Sequence, residues 1–259
     1  MKISFINDEY SEDVHRCIDF CRAKDIRYIE LRKIDGKNIA NLEKQQIEEI
    51  AEVLRKNDIQ VSSIASPFLK WDNDRIPADD FKFKIFGTNK ECLDSLIEYA
   101  NILGTSNIRI FSFLKNVFFN VKFFAGYLHK LDDYIEKKHI NLLLENEPVC
   151  NIATIYDLYT FFRIYKFNNI FPLIDIGNCR QNVVSKQELD VVAQSCFYYH
   201  IKDYSKKSNM YVALGDGDMD FDYLLNIAKN DSFLSLETHT GNQKDFIKSV
   251  QILKDMLNV

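Results

Sequence analysis

Leu142-Leu143-Leu144-Glu145 is the first of four apolar runs that each end on an acidic residue or a histidine. The other three are Phe171-Pro172-Leu173-Ile174-Asp175, Phe197-Tyr198-Tyr199-His200 and Phe233-Leu234-Ser235-Leu236-Glu237. The four polar residues are 30, 25 and 37 positions apart. Because a strand and its following helix take about 30 residues, each gap accommodates one strand–helix unit. The runs therefore predict four successive parallel strands whose carboxyl ends converge on one point.

The side chains at these four strand ends have the chemistry of a metal site. Three carboxylates and one imidazole suit a divalent cation of intermediate hardness. Simpler interpretations exist for each residue alone. Glu145 and Glu237 could be solvated, Asp175 could cap a turn, and His200 could be a core histidine with satisfied hydrogen bonds. Four such endings in register favour metal binding over these separate explanations.

The rest of the chain repeats the alternation of short β-rich runs and longer amphipathic stretches. The other predicted strands are Lys2–Ile6, Tyr28–Leu31, Gln60–Ile64 and Asn107–Phe111. Predicted helices cover Glu12–Lys24, Leu42–Lys56, Phe83–Leu103, Phe119–Lys138, Asn151–Tyr165, Lys186–Gln194, Phe221–Lys229 and Gln243–Leu257. Eight strand–helix units in about 250 residues predict an α/β fold, a single-domain (β/α)8 TIM barrel over residues 1–259. A doubly wound open sheet is the alternative, but no GxGxxG motif follows the first strand.

Composition restricts the classes of partner and the cellular setting. The net charge of −5 has no basic block within it, which argues against nucleic acid as a partner. No apolar run reaches 18 residues and no signal-peptide core follows Met1, so neither a membrane span nor a secreted protein is predicted. The six cysteines form no CxxC pair, which favours a reduced, cytoplasmic setting. A homo-oligomer is left open.

A series of short motifs follows the predicted strands in order. They are Tyr28-Ile29-Glu30-Leu31-Arg32, Ser63-Ile64-Ala65-Ser66-Pro67-Phe68-Leu69-Lys70, Ile108-Arg109-Ile110-Phe111, Leu144-Glu145-Asn146-Glu147-Pro148, Asp175-Ile176-Gly177-Asn178, His200-Ile201-Lys202-Asp203, Gly215-Asp216-Gly217 and Leu234-Ser235-Leu236-Glu237. In this order they resemble the motifs of the xylose-isomerase-like TIM-barrel family of sugar and sugar-phosphate isomerases and epimerases. The HxKD element would be weak alone, but its place between the acidic strand ends makes the match specific. The likeness spans essentially the whole chain.

The resemblance implies a metal-dependent isomerase or epimerase of a sugar or sugar phosphate. It assigns one divalent ion (Mn²⁺, Mg²⁺, Co²⁺ or Zn²⁺) to the four strand-end residues. It also makes Glu145 and Glu237 an acid/base pair on opposite faces of the substrate carbon. Such chemistry is reasonable because a cation bound to a substrate carbonyl acidifies the adjacent C–H and stabilises an enediolate. Return of the proton to the opposite face gives an epimer, and return to the neighbouring carbon gives an isomer.

Lys202 is assigned to the catalytic set with the two glutamates. It is two residues after His200, so on a strand both side chains point to the same side. Lys202 can therefore face the barrel mouth and bind a substrate hydroxyl or phosphate; a solvated lysine is the alternative. Asp203, the last residue of the HxKD element, either orients Lys202 or caps a turn. The loop Gly215–Gly217 is too short to cradle a nucleotide phosphate, and a turn is the predicted role.

The predicted substrate-binding residues are Asn178, His239, Lys70, Trp71 and Arg109. Asn178 stands where many family members have histidine, so substrate contacts at that corner are expected to differ. His239 is two residues after Glu237 and could contact substrate from the same side of the strand. Because it lies beyond the strand end, an exposed side chain is the alternative. Trp71 could form an apolar wall for a sugar ring or pack within its loop. Arg109 either holds a carboxylate inside the barrel or reaches a substrate anion.

Two further interpretations concern charged residues near the strands. Glu30 and Arg32 are expected to pair with each other in the lower barrel. Glu147, two residues after Glu145, is a candidate for a hydrogen-bonded support of the metal ligands.

Three other functions compete with the isomerase. A metal-dependent lyase such as an inosose-type dehydratase needs the same enolisation, and the sequence does not separate the two. An apurinic endonuclease with three zinc ions needs more histidines at strand ends than a chain with five can supply. A non-catalytic sugar-binding barrel would have no need of all four ligands.

Overall fold

The structure, a computed structural model, describes residues 1–71, 88–179 and 185–259. Within these ranges eight strands form one sheet in which all neighbouring strands are parallel: β1 (Lys2–Phe5), β2 (Tyr28–Leu31), β3 (Gln60–Phe68), β4 (Asn107–Ile110), β5 (Asn141–Glu145), β6 (Ile170–Asp175), β7 (Tyr198–Ile201) and β8 (Phe233–Leu236). Their order is β1-β8-β7-β6-β5-β4-β3-β2. A parallel bridge between Ile6 and Glu30 joins the two ends. The sheet is therefore a near-closed barrel, which confirms the (β/α)8 prediction.

Each barrel strand is followed by a helix on the outside. The helices are α1 (Val14–Lys24), α2 (Lys44–Lys56), α3 (Thr88–Leu103), α4 (Val121–Ile135), α5 (Ile155–Ile164), α6 (Lys186–Ala193), α7 (Phe221–Ile227) and α8 (Gln243–Leu257). A short helix, Asn7–Tyr10, comes directly after β1. The predicted start of α3 at Phe83 lies outside the described residues. None of the helices in the described ranges is long and apolar enough to cross a bilayer.

Local sequence explains where the elements begin and which face they bury. Helix α2 buries Ile47, Ile50 and Leu54, which recur at helical spacing and pack on the barrel. Helix α5 starts with a reciprocal cap in which Thr154 Oγ1 accepts from the backbone N–H of Asp157 (3.1 Å) and the Asp157 carboxylate accepts from the Thr154 N–H (2.9 Å). Such caps satisfy backbone groups that have no partner inside the helix.

Two short antiparallel ribbons stand beyond the carboxyl ends of the strands. One pairs Lys33–Ile34 with Lys37–Asn38 after β2, and the other pairs Asp203–Ser205 with Met210–Val212 after β7. No strand is predicted between the run that ends at His200 and the helix that starts at Phe221, so the second ribbon is a difference from the prediction. The strands of both ribbons are two or three residues long, and such lengths give no periodic pattern in the sequence.

Candidate metal centre

The four predicted ligands come together at the carboxyl end of the barrel. Glu145 and Asp175 end β5 and β6, His200 lies in β7, and Glu237 comes directly after β8. One ligand atom from each residue lies within 4.8 Å of the other three, and all four residues are buried. We refer to these four residues as the carboxylate–histidine cluster. The parallel register explains the convergence, because Asp175 is paired with His200 across β6 and β7.

The donor set of the cluster fits a divalent cation. Glu145 Oε2 is buried and accepts no hydrogen bond from the described residues, with Arg109 Nη1 3.3 Å away, while Asp175 Oδ2 is buried beside the Lys202 ammonium at 2.8 Å. Buried carboxylate oxygens without donors are costly unless a cation coordinates them. Three carboxylates and one imidazole are the ligands that first-row divalent ions accept.

The imidazole of His200 lies between the cluster carboxylates and a fourth carboxylate. Its Nδ1 is 3.2 Å from Glu145 Oε1 and 3.4 Å from Glu237 Oε2. Its Nε2 is 3.1 Å from Glu30 Oε2, on the side of the barrel interior. Burial alone would lower the pKa of His200, but the Glu30 and Glu145 carboxylates raise it well above its usual value.

Lys202 is buried inside the site. Its Nζ lies 2.8 Å from Asp175 Oδ2 and 2.9 Å from Glu237 Oε2, and only 2% of its side chain is exposed. The alternative of a solvated lysine is therefore wrong, while a substrate-binding role for Lys202 stays a prediction. The negative charges of Asp175 and Glu237 draw the ammonium inward, and Lys202 is the close cation of Asp175, which pairs with no arginine among the described residues. Burial would lower the pKa of Lys202, but Asp175 and Glu237 raise it well above its usual value.

The carboxyl group of Asp175 differs from the two glutamates. Burial raises its pKa to about 7, and the charges of Glu237 and Glu145 add to this effect against the opposing Lys202. Its Oδ1 accepts a hydrogen bond from the backbone N–H of Asn178 (2.9 Å). Asp175 is therefore the cluster carboxylate that holds a proton most readily.

Each cluster glutamate is matched with its own arginine. Arg109 Nη1 lies 3.3 Å from Glu145 Oε2, and Arg32 Nη1 lies 2.6 Å from Glu237 Oε1. Burial would raise the pKa of Glu145, but Arg109 and His200 lower it to about 2. Burial would also raise the pKa of Glu237, but Lys202 and His200 hold it well below its usual value. Both glutamates are thus ionised at neutral pH.

The predicted pairing of Glu30 with Arg32 was wrong. Glu30 lies within the barrel below His200, whereas Arg32 comes after β2 and reaches over the mouth to Asp8, Glu9 and Glu237. Both side chains share one parity of the chain. The end of the strand separates them, because β2 ends at Leu31 and the backbone N–H of Arg32 donates to Asn7 Oδ1.

Two residues at the mouth were missed by the sequence analysis. Glu9, on the short helix after β1, accepts hydrogen bonds from Arg32 Nη2 (2.8 Å) and the backbone N–H of His239 (2.7 Å). Tyr211, on the second ribbon, donates to Asn178 Oδ1 (3.4 Å), and its ring meets that of His239 edge-on at 5.6 Å. No motif marks either residue, since both reach the mouth through elements outside the barrel.

The predicted substrate-binding residues occupy different positions around the cluster. Asn178 is buried and donates to the Asn146 carbonyl (2.8 Å), while the side chain of His239 is 39% exposed beside Glu9. Arg109 holds a carboxylate inside the barrel, one of its two predicted roles.

The two predicted residues that follow β3, Lys70 and Trp71, pack against their neighbours. Lys70 pairs with Glu147 (2.8 Å), and its Nζ lies 4.7 Å from the centre of the Phe111 ring. Trp71 packs edge-on against Phe68 with ring centres 5.5 Å apart. Glu147, proposed as a support of the ligands, has Lys70 as its ion-pair partner.

Asp203 caps a turn, the second of its two predicted roles. Its carboxylate accepts backbone N–H groups from Gly215 (2.9 Å), Gly217 (3.0 Å) and Met219 (3.2 Å). A Cβ atom on Gly217 would overlap Asp203 Oδ1, and one on Gly177 would overlap Lys202 Cγ. The HxKD element is therefore joined to the Gly215–Gly217 turn by the Asp203 carboxylate, and Lys202 packs closely against Gly177.

Comparisons with known proteins agree with this architecture. A family model described as xylose isomerase-like TIM barrel matches residues 18–256. No curated protein matches the sequence significantly.

Several solved structures share the fold. The IolI protein with a bound zinc atom superposes with a TM-score of 0.79 at 17% identity, covering 100% of this chain and 98% of that one. A D-tagatose 3-epimerase-like protein gives 0.78 at 17% identity, covering 100% and 97%. The probable 3-DHS dehydratase AsbF of Bacillus anthracis gives 0.78 at 18% identity, covering 98% and 99%. Because the family model covers most of the sequence, this chain belongs to the xylose isomerase-like TIM-barrel family.

Proposed function

We propose that the protein is a divalent-metal-dependent isomerase or epimerase of a sugar or sugar phosphate. Glu145, Asp175, His200 and Glu237 hold the ion, and Glu145 and Glu237 exchange a proton with the substrate. The observation that carries the proposal is the buried carboxylate–histidine cluster, in which both glutamates are ionised and held by arginines. A bound cation would acidify the C–H beside a substrate carbonyl and offset the negative charge that develops.

The protein's own residues divide the remaining work. An ionised glutamate can accept a proton from a carbon placed against it, and the second glutamate can supply one from another direction. Arg109 and Arg32 fix the two carboxylates, so that neither must be reoriented during the reaction. Asn178 and Tyr211, linked to each other at the mouth, are proposed to contact the substrate together with His239.

The setting of the protein is proposed on the same basis. A small neutral or phosphorylated sugar is the proposed partner, and nucleic acid is not, since the chain has a net charge of −5. We propose a cytoplasmic protein in which residues 1–259 form one domain. The six cysteines are free, and five of them are buried.

A dehydratase is the second candidate, because one structural neighbour is named a probable 3-DHS dehydratase. The two functions are separated by incubating the metal-loaded protein in D₂O with ketoses, ketose phosphates and polyol ketones. NMR and mass spectrometry then monitor the products. An isomerase or epimerase incorporates deuterium at carbon and retains the other atoms of the substrate, whereas a dehydratase releases water. Absence of exchange and of product on the whole panel, with metal bound, would count against both.

A further inference from the structure

A buried carboxylate lies directly beneath the predicted metal-binding histidine. Glu30 on β2 has no exposed surface, and its Oε2 lies 3.1 Å from His200 Nε2. The other ring nitrogen of His200, Nδ1, faces the cluster residues Glu145 and Glu237. The imidazole therefore bridges the cluster and Glu30, with one nitrogen directed to each.

Glu30 Oε2 is an acceptor in a chain of hydrogen bonds through the barrel interior. Ser235 Oγ donates to it at 2.6 Å and the Tyr198 hydroxyl donates at 3.0 Å. The Tyr198 hydroxyl is also 2.8 Å from Ser62 Oγ. These three hydroxyl groups come from β8, β7 and β3, so three strands help to fix the position of a side chain on a fourth.

The burial of the Glu30 carboxylate is not explained by a lysine or an arginine. Among the described residues neither type forms an ion pair with Glu30, and its partners are His200, Ser235 and Tyr198. With an ion on Nδ1 the imidazole would be neutral, so the carboxylate would then have only neutral partners, and such burial costs several kcal/mol. A structural role alone could be filled by an apolar residue at lower cost, which points to a role that requires an acceptor at this position.

We infer that Glu30 is a positioning residue that places a hydrogen on His200 Nε2 and leaves the Nδ1 lone pair for the metal. This inference rests on the proposed metal site. A carboxylate accepts hydrogen bonds but does not donate them. With the ion on Nδ1, the contact between Nε2 and Glu30 Oε2 is therefore a hydrogen bond only if Nε2 carries the hydrogen. The bond also fixes the ring plane and makes Nδ1 a better electron donor, as partners behind metal-bound histidines do in other proteins.

The test compares two variants at the same depth of the barrel. Glu30→Gln keeps the shape of the side chain but replaces one acceptor oxygen by a donor. Tyr198→Phe removes a donor to the same carboxylate and leaves the contact between Glu30 and His200 in place. Metal affinity is measured by competition with a chelator for Zn²⁺, and geometry by the visible absorption of the Co²⁺ form. Thermal denaturation of the metal-free proteins reports the structural cost of each change.

We expect Glu30→Gln to weaken Zn²⁺ binding by about 10–100-fold and to change the Co²⁺ spectrum. Tyr198→Phe should keep a Zn²⁺ affinity and a Co²⁺ spectrum close to those of the wild type, even if its melting temperature falls as far as that of Glu30→Gln. A Glu30→Gln variant with wild-type affinity and spectrum would overturn the inference. If the wild-type protein bound neither Zn²⁺ nor Co²⁺, the proposed metal site itself would be wrong. That outcome differs from wild-type behaviour of Glu30→Gln, which would refute the role of Glu30 alone.

A second measurement needs no variant and so does not depend on folding of Glu30→Gln. NMR of the zinc-loaded wild type with ¹⁵N-labelled histidine reports which ring nitrogen carries hydrogen. We expect the hydrogen of His200 on Nε2, protected from exchange with solvent. A hydrogen on Nδ1 with zinc on Nε2 would overturn the inference whatever the variants show.

Discussion

The charged residues of the barrel mouth form pairs in which each carboxylate of the cluster has a positive neighbour. Glu145 is paired with Arg109, and Asp175 and Glu237 share Lys202. The acidic residues and the histidine were predictable, because their types and spacing are visible along the chain. Their positive neighbours were harder to assign. Arg32 reaches a carboxylate 205 positions away, and no local pattern reports such a distance.

Loss of one ligand should remove the metal. His200→Ala and Asp175→Ala each delete one of the donors that converge on the site, so we expect near-stoichiometric metal in the wild type and little in either variant. Elemental analysis of protein purified without chelator measures this. Lys70→Ala is the control, since Lys70 pairs with Glu147 and not with the cluster. Full retention of metal by both ligand variants would contradict the assignment.

The two glutamates should be required for proton exchange. Glu145→Gln and Glu237→Gln keep an oxygen that can coordinate weakly, but an amide cannot accept the proton from carbon. We expect each change to lower the exchange of substrate hydrogen with D₂O by about 100-fold or more, with the fold intact by circular dichroism. A variant that exchanged at the wild-type rate would show that its glutamate is neither the acid nor the base.

Lys202 should stabilise the metal-free protein more than the metal-loaded one. Lys202→Met keeps the apolar stem but leaves Asp175 and Glu237 without their ammonium, and removing one partner of a buried ion pair costs about 3–5 kcal/mol. A bound cation offsets the same carboxylates, so added Zn²⁺ should recover most of the loss in melting temperature. Lys70→Met is the matched control, because the Lys70–Glu147 pair is partly exposed. An equal loss with and without metal would contradict this role.

At the scale of elements, the strands were easier to predict than the segments beyond their carboxyl ends. Continuous apolar runs such as Leu142–Leu144 mark strands buried on both faces, and all eight predicted strands occur in the barrel. The ribbon after β7 was not predicted, because its strands, Asp203–Ser205 and Met210–Val212, are too short to show a pattern. Its position depends on the Asp203 carboxylate, which holds the Gly215–Gly217 turn by backbone N–H groups.

The turn should tolerate no side chain at Gly217. In Gly217→Ala the new Cβ would overlap Asp203 Oδ1, so the turn must shift and part of its hydrogen bonding is lost. We expect a loss of about 1–3 kcal/mol in the free energy of unfolding, measured by chemical denaturation. Gly126→Ala in α4 is the control: among the described residues, no atom outside the adjoining part of the helix lies within 4 Å of the added methyl, and alanine favours a helix by about 1 kcal/mol. Equal stability of the two variants would show that Asp203 does not constrain the turn.

At the scale of the whole molecule, the barrel was predictable because one unit recurs eight times along the chain. Repetition makes the fold insensitive to errors at single boundaries, such as the start of α1, which was predicted at Glu12 and lies at Val14. The charge balance of the site was not predictable in this way. It depends on how residues from β5, β6, β7 and β8 approach one another after the sheet closes, and the pKa of each group is set by that approach.

Metal should stabilise the folded protein, and more strongly at higher pH. In the metal-free protein burial raises the pKa of Asp175 from 3.8 to about 7. The folded state therefore holds this proton longer than the unfolded chain does. The contribution of Asp175 to the free energy of unfolding is therefore complete below pH 3.8, its pKa in the unfolded chain. It is lost as pH rises through about 7, its pKa in the folded protein. A cation needs the ionised carboxylate and must displace the proton, so metal affinity rises as pH approaches about 7 and then levels off on account of this group.

Metal at 100 times its Kd adds about 2.7 kcal/mol to the free energy of unfolding, and for a chain of this size that raises the melting temperature by about 5–10 °C. Thermal denaturation with Zn²⁺ or with EDTA, at about pH 6 and about pH 8, measures the gain at each pH. The gain should be larger at the higher pH in the wild type and absent in Asp175→Ala. A gain that is equal at both, or larger at the lower pH, would mean that no proton is displaced from Asp175 when the metal binds.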